Sequence, residues 1–482
     1  MRATRFVGLV FGSFFVATGA FAISTQSFVL DSAEALSAGD LEGTSVLSSG
    51  AVTPGVRTHR FELPDVPVAY SVARASNGSL FVGTGTNGEI FTIEKDRARK
   101  YADTNQLLVS ALSTDNDDTL YAGTLPEARL FKIDRSGNAS LLVKLPDADH
   151  VWAIRYHSKR KKLIVATGPN GKIFEVSKNG ESKVIFSSNA KHIMSLAVDR
   201  AGNVFAGTSD DALLVRIDEK NRSTVVHDFD GNEITAIAEQ DGVIGVVANE
   251  FETPPAAPVK NGNTTANKAG TNRASTAQPR AGKGAVWRID ADGRAEKLFD
   301  QKTGHFTSVA FGRQKDLFAA SGREGRIYRF LSNGAYSTWI DVDERAVMAM
   351  DFSPRGDAFV TADAGAVYEI ESGKPKDARW ISKVLDAKYL SQWGMLSWRG
   401  QGRITFQTRS GNTESPDDNW SDWSKAMSSP AHVQEARCTL HSDTRHTERR
   451  RRRQVARRGT LLPSAKSTRN DSLPSSSIRA TR

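Results

Sequence analysis

Cysteine is almost absent: the 482-residue chain carries one, Cys438. A single thiol excludes an intramolecular disulfide framework and Cys-based zinc sites. No H-E-x-x-H, G-x-S-x-G or G-x-x-x-x-G-K-[ST] occurs, so three common catalytic or nucleotide-binding chemistries lack their motifs. Heptads and a three-residue glycine period are missing, which rules out coiled coil and collagen. Past the N-terminus no segment reaches the roughly 18 apolar residues of a spanning helix. What remains, 39% hydrophobic and 25% charged residues, is an ordinary globular composition.

The net charge of +9 is local. Residues 438–482 hold eleven Arg and Lys466 against only Asp443, Glu448 and Asp471. Residues 1–437 are therefore neutral and offer no basic field, and no nucleic-acid partner is expected. At the other end, residues 1–22 read MRATRFVGLVFGSFFVATGAFA. Arg2 and Arg5 precede an apolar run from Phe6 to Ala20, and Ala20-Phe21-Ala22 supplies small residues for cleavage. This is the layout of a secretory signal peptide. The polar residues Ser24 to Ser27 favour cleavage over a membrane anchor, so no span is expected afterwards. The expected compartment is outside the cytoplasm, periplasmic or extracellular. An N-terminal extension, 23–55, offers a short helix at Asp31–Leu36 and a hairpin turning at Ser49-Gly50.

The strongest signal is a repeat. SLFVGTGTNGEIFTI (79–93), TLYAGTLPEARLFKI (119–133), KLIVATGPNGKIFEV (162–176) and DLFAASGREGRIYRF (316–330) share one pattern, and 203–217 and 357–370 are divergent copies. Each has an apolar strand, a small-residue turn and a second strand with a central aromatic. An apolar anchor falls at Val72, Leu112, Ile154, Leu196, Ile237, Val309 and Met350, spaced 40, 42, 42, 41, 72 and 41 residues apart. The single long gap holds residues 253–283, rich in Pro, Ala, Asn, Thr and Gly, with Val259 its one large apolar residue. Such a segment cannot bury enough apolar surface to offset its ordering entropy and reads as a disordered insertion. Seven copies of a 40–45-residue unit with short strands predict an all-β, seven-bladed β-propeller over 56–372. The seventh copy lacks its outer strand. Val56–Leu63 is favoured to supply it and close the ring, with Arg379–Leu385 the competitor. Turn glycines, among them Gly83, Gly85, Gly168, Gly322 and Gly325, are expected to relieve φ constraints.

On these phrases, residues 56–371 resemble the WD40/YVTN-type and NHL-type propellers of secreted bacterial proteins. The Trp-Asp dipeptide of true WD40 repeats is missing; Phe91-Thr92, Phe131-Lys132 and Tyr328-Arg329 stand there instead. The resemblance implies a scaffold that mostly binds and in a minority of cases catalyses. After the repeat, 380–437 carries Trp393, Trp398, Trp420 and Trp423 in alternating segments and reads as a small β-sandwich module, short of strands at this length. Its Trp420-Ser421-Asp422-Trp423-Ser424 matches the W-S-x-W-S phrase of cytokine-receptor fibronectin-like domains, where Trp faces stack on guanidinium groups; Arg399, Arg403 and Arg409 are the candidates here. The run 438–482 reads either as a disordered basic arm or as an out-of-frame end.

Candidate site residues come from the repeat register. Four residues before each anchor stand Val68, Leu108, His150, His192, Glu233, His305 and Ala346. Imidazoles and a carboxylate converging on a channel would suit a divalent metal, with His150, His192 and His305 as ligands and Glu233 as ligand or base. The alternative is that each side chain only bonds nearby backbone. Beside them Tyr70, Trp152 and Phe306 would either meet a ligand or pack between blades. The leading functional expectation is a non-enzymatic, cofactor-free scaffold that binds a protein, peptide or carbohydrate on its channel face. A metal-dependent lyase or hydrolase is the alternative.

Overall fold

The computed structural model describes residues 26–94, 96–252, 282–389, 391–433 and 478–481. The leader, most of the insertion and most of the basic tail lie outside them. Seven antiparallel sheets, one for each repeat, follow one another in sequence order. The third is typical: His150–His157, Lys162–Gly168, Lys172–Val176 and Ser182–Ser187 pair as a meander. Burial explains the strand choice. The second strands are apolar on both faces, as in Leu163, Ile164, Val165 and Ala166, because each sits between two neighbouring blades.

The seams form a closed set. The anchor residues pack backward, each into the core shared with the preceding blade: Leu112 with the first blade, Ile154 with the second, Leu196 with the third. Ala73 and Ala197, which follow the anchors Val72 and Leu196, face forward into the next cores. Closure comes where Val360 and Val367 of the seventh blade meet Leu80, Val82 and Phe91 of the first. Arg57–Glu62 is the fourth strand of the seventh blade, paired in register with Ala366–Glu371 from Glu62↔Ala366 to Arg57↔Glu371. The favoured N-terminal strand therefore closes the ring. Of the competitor Arg379–Leu385, Arg379–Ile381 pairs instead with Asp40–Glu42.

The 72-residue gap is placed within the fifth blade. Phe251 pairs with Gly282 across its roots, so the insertion leaves between the second and third strands without disturbing the ladder. The N-terminal extension holds more structure than its sequence announces. Thr44–Leu47 and Ala51–Pro54 form the expected hairpin, and this hairpin pairs onto Tyr336–Asp341, widening the sixth sheet to six strands. Beneath it Leu30, Leu36, Leu41, Val46 and Trp380 make a small separate core. Beyond the ring, Met395–Trp398 lies in a second small sheet with Ser27–Leu30, Ala431–His432 and Ile478–Thr481. Arg409 answers the W-S-x-W-S expectation: its guanidinium lies 5.6 Å from the ring of Trp420 and 4.6 Å from that of Trp423.

Candidate functional site at one mouth of the channel

The innermost strand of every blade contains one bulge, at the same repeat position. The extra residues are Tyr70, Ser110, Trp152, Met194, Thr235, Thr307 and Met348. A bulge re-aims its side chain, and here several bulge side chains reach the following blade. Ser110 Oγ donates to Val151 O, and Thr307 Oγ1 to Val347 O. One residue on, Ser71 Oγ donates to Val109 O at 3.1 Å and Ser195 Oγ to Ile234 O at 2.9 Å. In the third blade the bulge residue is Trp152, and its indole Nε1–H donates to Nδ1 of His192 in the fourth blade at 3.0 Å.

A second ring underlies the first. Thr84, Thr124, Thr167, Thr208, Asn249, Ser321 and Thr361 stand at or within two residues of the ends of the second strands, and each is fully buried. Five of the threonine hydroxyls donate to the carbonyl five residues on, locking the turn between second and third strands, as Thr167 Oγ1 does to Lys172 O at 2.9 Å. Asn249 stands where the insertion replaces that turn. It bonds the next blade instead, taking Phe306 N–H on Oδ1 and giving Nδ2–H to Phe306 O. Sequence reasoning missed this ring, although the recurring G-T and A-T pairs of the repeat phrase carried it.

The candidate residues gather at this mouth, but not around one point. His150 and His192 come together, with ring centroids 5.6 Å apart, and Trp152 lies 5.1 Å from the first and 5.5 Å, edge-on, from the second. His305 keeps to another sector, 5.2 Å from the ring of Phe251. Burial, and after it the Arg323 guanidinium, hold its pKa below the usual imidazole range, so it is neutral at pH 7. Glu233 Oε1 accepts from Thr235 Oγ1 at 3.0 Å. The alternative metal set, His150, His192 and His305 with Glu233 as ligand or base, is thus not gathered around one point. Among the described residues no three His, Cys, Asp or Glu side chains are placed to hold an ion.

The hydrogen bond gives a chemical reason as well. An indole nitrogen only donates, so His192 Nδ1 must accept and the ring proton sits on Nε2. Metal-bound histidines ordinarily donate their second nitrogen's proton to a neighbour. His192 is fixed in the opposite sense.

Phe306 needs a correction. It is wholly buried in the seam between the fifth and sixth blades, with Phe299 and Tyr328 around it, and faces no ligand. Tyr70 and Trp152 are half-buried at the mouth. The turn glycines also act differently from expectation. Of the five named, only Gly325 has a left-handed backbone, at φ 67°. Gly168 and Gly322 are small because imidazoles lie against them: a Cβ on Gly168 would overlap His192 Nδ1, and one on Gly322 would overlap His305 Nε2.

No family model and no curated protein matches the chain. Solved structures do. Virginiamycin B lyase from Staphylococcus aureus superposes with a TM-score of 0.51 at 13% identity, over 65% of this chain and 98% of that one. A streptogramin B lyase gives 0.52 at 10% identity, over 66% and 98%. The WD40 propeller domain of Doa1 gives 0.49 at 10% identity, over 66% and 97%. At such identities the likeness to the lyases concerns the fold, and the chain is distantly related in architecture to the propellers that those enzymes exemplify.

Proposed function

We propose that the protein is an exported, non-enzymatic binding scaffold whose channel mouth takes a peptide, protein or carbohydrate ligand. One observation carries this reading: Tyr70, Trp152, His150 and His192 are half-buried at a single mouth whose backbone is held by two rings of hydroxyl and amide bonds. A rigid rim presenting aromatic faces and imidazoles suits recognition. The roots of the insertion, Phe251 and Gly282, pair beside His305. The signal-like leader supports export.

The test selects ligands from peptide and glycan arrays with wild-type protein. A ligand of this mouth should bind at least tenfold more weakly to the Tyr70→Ala/Trp152→Ala double variant. It should be unaffected by Leu141→Ala on the exposed outer edge of the second blade. Ligands indifferent to the double variant would refute the reading. Turnover of a selected ligand, lost on chelation, would favour the metal-dependent lyase or hydrolase instead.

A further inference from the structure

We propose that His192 makes this mouth pH-sensitive: its neutral ring ties the third blade to the fourth through Trp152, and its protonation releases the indole. The other seam bonds described above join hydroxyls or amides to carbonyl oxygens of the backbone or, at Asn249, of a side-chain amide. Examples are Ser71 to Val109 O, Ser195 to Ile234 O and Asn249 to Phe306 O. None of those partners titrates near neutrality. The bond between Trp152 Nε1–H and His192 Nδ1 does, because its acceptor is an imidazole nitrogen.

Protonating Nδ1 places an N–H against the indole N–H. Two donors then face each other at 3.0 Å, and the bond is lost. No other orientation of the indole repairs this, since its nitrogen accepts nothing. Gly168 confines the imidazole from below. The ring therefore cannot retreat toward the second strand, and Trp152 is the partner that must move.

Several ionisable groups surround His192. His150 faces it across the seam. Lys191 precedes it, and the Lys191 backbone N–H donates to Asp210, whose carboxylate also lies near Ser209 Oγ, the acceptor of the His192 N–H. Asp149 gives its backbone N–H to Gly168 O, and Glu233 bridges to Ser209 from the fifth blade. The consequence for binding rests on the proposed function of this mouth. The switch itself does not.

The experiment is a pH titration of 15N-labelled full-length protein, followed at the indole N–H resonance that Trp152→Phe removes. Between pH 8 and 5 it should shift with one midpoint in the imidazole range, about 6 to 7. In His192→Gln, which keeps an acceptor that does not titrate, it should stay in place; in His150→Gln it should still move. At pH 8 the imidazole 15N shifts of His192 should report a bare Nδ1 and a protonated Nε2. A static wild-type resonance, a transition that persists in His192→Gln, or a proton on Nδ1 at pH 8 would each overturn the proposal. Should His192→Gln not fold, the wild-type tautomer and the His150→Gln titration still decide. A titrating indole in a protein that binds nothing at this mouth would leave the switch standing and remove its role in recognition.

Discussion

The side chains at the mouth show how far residue-scale reading reaches. Register alone put His150, His192, Glu233 and His305 at the starts of innermost strands, and they are there. Their directions were not legible, because direction depends on the bulge two positions later and on the neighbour it meets. Phe306 illustrates the limit: it stands one position before the bulge residue Thr307, where Val151 of the third blade is buried too, and Phe299 and Tyr328 close around it. Gly168 offers a test at this scale. Its backbone is not left-handed, so Gly168→Ala introduces no φ strain, and the added methyl runs first into the His192 ring. Overpacking of this kind costs about 1–3 kcal/mol. Gly168→Ala should lower the denaturation midpoint accordingly and displace the Trp152 indole resonance even at pH 8. The same change at Gly78, where a Cβ meets nothing but φ is 96°, should destabilise without touching that resonance.

Among the elements, strands within blades were readable because their apolar runs and turns recur every 41 residues or so. The clasp made by the N-terminal extension was not readable, since its partners are about three hundred residues away and carry no shared pattern. Asp341 is central to it. Its carboxylate accepts the Leu41 N–H at 3.1 Å and pairs with Arg326 at 3.4 Å, while Arg326 also donates to Gly39 O. Burial outweighs the guanidinium and pushes the Asp341 carboxyl up to about 6. The folded pKa is raised above the unfolded one, so the protonated form is the one folding favours. Its contribution is fully present below about pH 4 and lost as pH rises through about 6. The gap of about two units corresponds to about 3 kcal/mol at most. The stability of wild type relative to Asp341→Asn should therefore fall between pH 4 and 7, which urea denaturation at a series of pH values measures. A difference that is flat, or that rises with pH, would contradict this account of the clasp.

For the whole molecule, the repeat count and the closing strand followed from arithmetic, and the structure has both. What arithmetic left open is how strongly the ring is held shut. Arg57–Glu62 differs from the other outer strands: its ladder with Ala366–Glu371 has no bulge, whereas the third-to-fourth-strand ladders of the other six blades each have one. It is further pinned by Arg60, whose Nε donates to the buried Glu344 at 2.9 Å, a carboxylate that also accepts the Tyr368 hydroxyl at 2.8 Å. Phe61 fixes the strand from within, buried in the core shared by the seventh and first blades. Truncating a buried phenylalanine costs about 3–5 kcal/mol. Opening that one seam takes a neighbour from two blades and breaks the cycle that holds the other six seams in place, so Phe61→Ala should lower hydrogen-exchange protection in all seven blades, not only at the closure. Val184→Ala, on an exposed outer strand, should change stability by no more than about 0.5 kcal/mol. Protection lost only in the seventh and first blades would mean that the ring opens locally and that the far seams, including the one holding Trp152 and His192, are independent of it.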